Sequence, residues 1–134
     1  MAKKIFINLP VDNLQKAMEF YTKIGFTNNP AFTDDTAACM VLSEEIYVML
    51  LTHDKFSQFT DKKIIDAKTD IGVINSISLD SLEEMNTMAD AAFSSGGTEA
   101  SAPEDYGFMQ QKSFYDLDGN HWEVVYMDMS QFPG

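Results

Sequence analysis

The chain has 134 residues, of which 45% are hydrophobic and 12% aromatic, enough apolar material for one compact domain. Its formal net charge is -12, and all nine basic residues are lysine. Nucleic-acid binding needs a basic face that displaces counterions from phosphates, so this charge disfavours nucleic acid as a partner. No segment holds the roughly 20 consecutive apolar residues that cross a bilayer, and an acidic membrane surface would repel the chain.

The charge is distributed unevenly along the sequence. Residues 1–68 contain nine acidic residues and eight lysines, whereas residues 69–134 contain twelve acidic residues and a single lysine, Lys112. We interpret the acidic surface as favouring solubility, with Lys112 as a candidate anion contact. The single cysteine, Cys39, cannot form an internal disulfide, and no signal peptide is visible at the N-terminus. These features predict a cytoplasmic protein.

An internal repeat with an offset of 68 residues organises the chain. Residues 5–25 and 73–93 each combine an alternating apolar run, an aspartate and an amphipathic stretch, which predicts a strand followed by a helix. Asp12 and Asp80 occupy the same place in the two copies. We predict that each caps its helix by accepting hydrogen bonds from the first turn.

Further strands are predicted after each helix. In the first copy they are Thr27–Thr33, Thr36–Leu42 and Ile46–Thr52, followed by a short helix over Lys55–Thr60. In the second copy they are Thr98–Ala102, Phe108–Tyr115 and His121–Met127, with a tight hairpin at 116–120 and a mobile tail from Ser130. The pattern predicts an α+β fold of two βαβββ modules, about 3–60 and about 71–129, within one domain.

Several strings resemble a known family. NLPVDNLQKAMEFYTKIGF resembles the opening strand, helix and glycine stop of the vicinal oxygen chelate superfamily, and YDLDGNHWEVVYMD resembles its closing hairpin. That superfamily includes glyoxalase I, bleomycin-resistance proteins and extradiol dioxygenases. The strings FINLPV, TAACMV, VMLLTHDKF and DYGFMQQKSFYDLDGNHWEV are similar to a bacterial branch labelled predicted lactoylglutathione lyase. The resemblance implies two modules whose sheets curl around a shared cavity, and it implies a homodimer.

The resemblance also implies where a divalent metal ion would bind. Metal-dependent members place one ligand on the first strand and one on the last strand of each module. The resemblance implies that the first-strand ligand lies about seven residues before the residue that caps the helix. Carried over to this sequence, those positions are Ile5 or Phe6, Leu50 or Leu51, Val73 or Ile74, and Glu123. Hydrocarbon side chains have no lone pairs for a metal, so we predict no metal site and no cofactor. A divalent metal bound in some other way is kept as the alternative.

Three functions stay open from the sequence. We predict a glyoxalase-like protein that binds a small, mostly apolar molecule in a metal-free cavity. The alternative is a lyase, isomerase or dioxygenase of the same superfamily, with or without a metal, in which Glu123 is the catalytic residue. A carboxyl group in apolar surroundings suits proton transfer. A dimer scaffold without a small-molecule role is the third hypothesis.

Four other residues are candidate ligand contacts. Asn8 and Asn75 interrupt the first strands of the two modules, and buried amides need partners, either a ligand or neighbouring backbone. Lys112 retains a positive charge where the branch often has arginine, and it is also a candidate ion-pair partner for Glu123. His121 follows the hairpin and would offer a second metal ligand beside Glu123, fewer than a divalent ion needs.

Overall fold

The predicted repeat folds as two related units, each of which begins with a strand and a helix and continues with further strands of one sheet. The computed structural model describes residues 2–132. It divides into two compact units, the first ending at Asp66 and the second beginning at Ala67, and each unit contains its own sheet. The α+β fold predicted from the sequence is therefore confirmed. No helix in the described part of the chain is long and apolar enough to span a membrane.

The first unit contains a four-stranded sheet with the order β1-β4-β3-β2. Its elements are β1 (Ile5–Val11), α1 (Leu14–Lys23), β2 (Thr27–Asn29), β3 (Ala37–Val41), β4 (Ile46–Thr52) and α2 (His53–Phe56). Strand β1 runs parallel to β4, and the other pairs are antiparallel. The predicted strand at 27–33 ends early because Pro30 has no N–H for the ladder and instead begins a 3-10 turn at Pro30–Phe32.

The second unit contains a five-stranded sheet with the order β5-β9-β8-β6, and β7 also pairs with β8. Its elements are β5 (Ile74–Leu79), α3 (Leu82–Ser94), β6 (Thr98–Glu99), β7 (Glu104–Asp105), β8 (Met109–Tyr115) and β9 (His121–Met127). Strand β5 runs parallel to β9, as β1 does to β4. The two-residue strand β7 was not predicted, and β6 is shorter than predicted.

The predicted helix caps are wrong by one residue. The side chain of Asn13, not Asp12, accepts a hydrogen bond from the backbone N–H of Lys16 at 3.0 Å. In the second unit Ser81, not Asp80, accepts the corresponding bond from Glu84 at 3.0 Å. Asn13 and Ser81 have the extended backbone that a cap requires next to the first helical residue. The repeat offset of 68 residues is preserved, because both caps move together.

Two smaller predictions also differ from the structure. Helix α2 begins at His53, earlier than expected, because the Thr52 hydroxyl accepts a hydrogen bond from the N–H of Lys55 at 3.2 Å. The tail predicted from Ser130 starts inside a 3-10 turn, Met129–Gln131, that Asp128 caps. The last two residues of that tail lie outside the described residues.

In each unit the helix covers one face of the sheet. The most completely buried strand residues alternate along the strands and therefore share that face with the buried side of the helix. In the first unit they are Val11, Ala38, Met40, Val48 and Leu50, and in the second Phe114, Trp122 and Val124, each at most 1% exposed. Burying one such large side chain stabilises the fold by about 1.5–3 kcal/mol. The opposite face of each sheet is thus the part whose chemistry can vary.

Candidate functional site

The strand registers define the residues that lie opposite the helix in each unit. In the first unit we call this surface the Met49 face; its members include Phe6, Asn8, Cys39, Tyr47, Met49 and Leu51. In the second we call it the Glu123 face; its members include Ile74, Ser76, Gln111, Ser113, Tyr115, His121, Glu123 and Val125. Three of the five predicted site residues, Asn8, His121 and Glu123, therefore lie on these faces.

Glu123 lies in the middle of a row that crosses three strands. Its neighbours in register are Ser76 on β5 and Ser113 on β8. The Ser76 hydroxyl donates a 2.6 Å hydrogen bond to Oε2 of Glu123. The Ser113 hydroxyl is buried and engaged with Ser101, whose hydroxyl lies 2.9 Å away. Within residues 2–132, Ser76 is therefore the side-chain partner of Glu123, and no ion pair reaches its carboxylate.

His121 lies in the next row of the same face. Its ring packs edge-on against the ring of Tyr115, with centroids 5.2 Å apart and an interplanar angle of 64°. The Nε2 atom is shielded from solvent and has no hydrogen-bond partner among the described residues. Leaving such a buried polar atom unpaired costs about 1–3 kcal/mol. His121 thus brings unused hydrogen-bonding capacity within two residues of Glu123.

Lys112 does not belong to this face. It pairs in register with Val124, whereas Glu123 pairs with Ser113, so Lys112 and Glu123 lie on opposite faces of the sheet. The ion pair considered from the sequence is not formed in the described structure. The structure therefore separates these two predicted site residues.

The two asparagines also occupy different environments. Asn8 lies on the Met49 face, and its side-chain N–H donates to the backbone oxygen of Phe6 at 3.3 Å. Asn75 pairs in register with Trp122 and so lies on the face that α3 covers. Its Nδ2 atom is buried without a partner in the described part of the chain. The residue that matches Asn8 in the repeat is Ser76.

The corrected caps move the positions that the superfamily resemblance assigns to metal ligands. Seven residues before Asn13 lies Phe6, and seven before Ser81 lies Ile74, so Ile5 and Val73 drop out. Phe6 stacks on Tyr47 with centroids 4.5 Å apart. Both surviving residues are hydrocarbons without a lone pair for a metal.

The last-strand position of the first unit also changes. Asn8 and Ser76 are equivalent positions of the repeat. Asn8 pairs with Met49 on β4, and Ser76 pairs with Glu123 on β9, so Met49 is the counterpart of Glu123. Leu50 and Leu51 are therefore not that counterpart. Cys39 is the neighbour of Met49 in register, and burial raises the pKa of its thiol, which keeps it neutral rather than a thiolate ligand.

The donor set does not fit the divalent ion that the superfamily resemblance implies. The four positions hold Phe6, Met49, Ile74 and Glu123, which together supply one carboxylate and one soft thioether. No group of three or more His, Cys, Asp or Glu side chains in residues 2–132 is arranged to hold a metal.

A cleft of about 540 Å³ lies in the second unit at the turn between β8 and β9. It is lined by residues 67–71, Gly96, Thr98, Tyr115, Asp116, Leu117 and Gly119. The buried Asp116 carboxylate fixes this turn by accepting 2.9 Å hydrogen bonds from the backbone N–H groups of Asp118 and Asn120. Tyr115 is a wall of the cleft and also contacts His121, so the cleft borders the Glu123 face.

Sequence reasoning missed Ser76 and Tyr115 as site residues. Both lie on the Glu123 face only because of the strand pairings, Ser76 across a parallel pair and Tyr115 across a hairpin. The hairpin register of Tyr115 and His121 was readable from the turn at 116–120. The parallel partner of Glu123 was not, because 41 residues or more separate β5 from β9.

Comparison with known proteins gives one family. A sequence profile of the Glyoxalase/Bleomycin resistance protein/Dioxygenase superfamily matches residues 5–124. A search of functionally curated proteins gives no match.

Solved structures share the fold at low sequence identity. A hypothetical protein from S. aureus is 23% identical, with a TM-score of 0.77 over 94% of this chain and 95% of that one. A family enzyme from Burkholderia phytofirmans is 15% identical, with a TM-score of 0.75 over 94% and 99%. The fosfomycin resistance protein FosX of Mesorhizobium loti is 11% identical, with a TM-score of 0.69 over 97% and 96%. The chain belongs to the glyoxalase/bleomycin resistance protein/dioxygenase superfamily.

Proposed function

We propose that this protein binds a small, mostly apolar molecule without a metal ion, and that the Glu123 face holds the polar end of that molecule. The observation that supports the proposal is the donor set. Phe6, Met49 and Ile74 occupy three of the four positions where the superfamily resemblance expects metal ligands. The fourth position holds Glu123, whose carboxylate accepts a hydrogen bond from the neutral hydroxyl of Ser76.

The side chains around these positions suit ligand capture. On the Met49 face, Phe6 and Tyr47 form an aromatic stack, and aromatic and thioether side chains adapt well to apolar ligands. On the Glu123 face, the carboxylate and the unpaired Nε2 atom of His121 offer few but directional polar contacts. Small-molecule sites commonly combine apolar walls with a small number of polar groups.

A ligand titration in the presence of a chelator tests the proposal. Protein treated with EDTA is titrated with small aromatic probes and followed by amide chemical shifts. We expect saturable shifts at Glu123 and its strand neighbours, with the same affinity before and after chelation. Binding that appears only after a divalent ion is added would contradict the proposal.

A second candidate function is metal-free proton transfer by Glu123. The observation that favours it is the retained acid at the last-strand position, in a 2.6 Å hydrogen bond with Ser76. The test substrate is a small uncharged ketone with exchangeable α-hydrogens, whose proton exchange catalysed by the protein is followed by NMR. Turnover in EDTA that is lost in Glu123→Gln would support this function, and no turnover at high enzyme concentration would remove it.

The assembly and location also remain proposals. We infer a cytoplasmic homodimer, as the superfamily resemblance and the lone cysteine suggest. Light scattering coupled to size exclusion tests the dimer directly: the expected mass is twice the 15.0 kDa of one chain. A mass of one chain at micromolar concentration would contradict it.

A further inference from the structure

We propose that the polar end of the bound molecule is a protonated amine and that the carboxylate of Glu123 is its counter-ion. The inference rests on the proposed function, since it names the chemical class of the ligand at the same face. It excludes the opposite class, small anions, as preferred ligands.

The first argument is the absence of a lysine or arginine on the Glu123 face. The chain has no arginine, and of the two lysines of the second unit, Lys112 lies on the other side of the sheet and Lys68 lies outside the strands, in the wall of the cleft. A second acid adds to the negative charge, because Glu104 on β7 pairs in register with Gln111 and so lies on the same face. An anionic ligand would therefore meet like charge on this face, and no lysine of the face itself would compensate it.

The second argument is the unused bonding capacity of the carboxylate. Glu123 is half-buried, its Oε2 accepts one hydrogen bond from Ser76, and its Oε1 has no partner in residues 2–132. A carboxylate only accepts hydrogen bonds, whereas an ammonium group offers three donors. Either donor forms a charge-assisted hydrogen bond with the carboxylate, but only the ammonium adds the attraction between opposite charges, so an amine gains more here than a hydroxyl.

The third argument is the arrangement of the other polar groups. Ser76 lies in register with Glu123, and His121 and Tyr115 form the next row of the same face. All three can form hydrogen bonds with a ligand without supplying a fixed positive charge. The formal net charge of -12 also draws cations towards the protein from a distance. Both the local and the overall electrostatics therefore favour a cation over an anion of the same shape.

The experiment compares three probes that share one apolar body. Phenethylamine, phenethyl alcohol and hydrocinnamate carry an ammonium, a hydroxyl and a carboxylate on similar phenylalkyl groups. Affinities are measured by amide chemical shifts at low ionic strength on the wild type, Glu123→Gln and Glu99→Gln. Glu99 is the matched control, because it is an acid of the same sheet that pairs with Phe114 and so lies on the opposite face.

We expect the amine to bind the wild type on the order of tenfold more tightly than the alcohol, with the carboxylate weakest. Glu123→Gln removes that preference, Glu99→Gln retains it, and added salt reduces it. Should Glu123→Gln fail to fold, Ser76→Ala is used instead. Ser76→Ala removes the hydroxyl that donates a hydrogen bond to Oε2 of Glu123. Both carboxylate oxygens are then available to a ligand, so we expect the variant to bind the amine more tightly than the alcohol by the same factor as the wild type or a larger one.

The possible failures are distinguishable. If the alcohol or the carboxylate binds as tightly as the amine, the amine inference is overturned and metal-free binding survives. Equal loss of amine binding in Glu123→Gln and Glu99→Gln would assign the effect to overall charge and overturn the role of Glu123. If none of the three probes binds at millimolar concentration, the proposed function itself fails.

Discussion

The two units share a topology and differ in the chemistry of one face. In both, a first strand runs parallel to a last strand, and a capped helix covers one side of the sheet. On the other side, Met49 in the first unit stands where Glu123 stands in the second. The covered faces are constrained by packing against a helix, whereas the faces opposite have diverged into an aromatic and thioether surface and a hydrogen-bonding one.

The largest expected effect contrasts a helix-covered residue with an open one. Phe114 is fully buried under α3, so Phe114→Ala should lower the free energy of unfolding by about 3–5 kcal/mol. Phe6 is 52% exposed on the Met49 face, and Phe6→Ala should cost only about 1 kcal/mol, chiefly its stack on Tyr47. Urea unfolding measures both. If Phe114→Ala and Phe6→Ala lower the free energy of unfolding by similar amounts, the helix-covered and open faces do not differ in packing.

A second contrast uses two glycines near the cleft. Gly119 has a φ of 95°, and an added Cβ would lie 2.8 Å from the backbone of Ala67 and Lys68. Gly119→Ala should therefore destabilise the protein by about 1–3 kcal/mol, through backbone strain and this clash. Gly72 is the control, because nothing lies within 4 Å of its added Cβ. Gly72→Ala should leave the urea midpoint nearly unchanged, and an equal loss there would refute the explanation.

The helix caps provide a third, smaller test that applies to both units. Asn13→Ala and Ser81→Ala should each cost about 1 kcal/mol, since each leaves a first-turn N–H without its side-chain partner. Asp80 is the control, and Asp80→Ala should cost less than Ser81→Ala. Asp12 is not used, because its Oδ1 lies 3.0 Å from Nε2 of His53. Thermal and urea unfolding compare the pairs. A larger loss of unfolding free energy in Asp80→Ala than in Ser81→Ala would restore the cap predicted from the sequence.

The smallest effect is on acid stability and involves one aspartate per unit, Asp34, which is exposed, and Asp128, which is partly exposed. Hydrogen bonds from the backbone and side chain of Thr36 lower the pKa of Asp34, and bonds from the side chain and backbone of Ser130 lower that of Asp128. Each charged carboxylate therefore stabilises the folded state above the ordinary aspartate pKa of 3.8, and this contribution is lost as the pH falls below it.

The substitutions Asp34→Asn and Asp128→Asn should make unfolding slightly less sensitive to pH in that acidic range. The measurement is the urea midpoint as a function of pH for each variant and the wild type. Asp35→Asn provides a neighbouring control of the same charge change. If the urea midpoint of a variant changes with pH in the same way as that of the wild type, its carboxylate does not contribute to acid stability.

Much of this architecture could be predicted from local sequence signals. The bounds of β4 and β9 agree with the prediction to the residue, because alternating apolar runs there end at clear turns. The caps were misassigned because Asp12-Asn13 and Asp80-Ser81 each offer two capable side chains. Only the backbone conformation decides between them.

The site was less predictable because it depends on pairing between distant strands. Strand β7 has two acidic residues with little strand propensity and exists because β8 pairs with it. The position of Ser76 beside Glu123, and of Lys112 away from it, follows from register and alternation across the sheet. A shift of one residue would reverse both assignments.

The most direct test of the account is metal binding by the wild type. Protein purified without chelator is examined by elemental analysis and native mass spectrometry, then after incubation with nickel, zinc and iron(II). The account predicts no stoichiometric ion, because Phe6, Met49 and Ile74 supply no hard ligand beside Glu123. One tightly held divalent ion per chain, lost in Glu123→Gln, would contradict it.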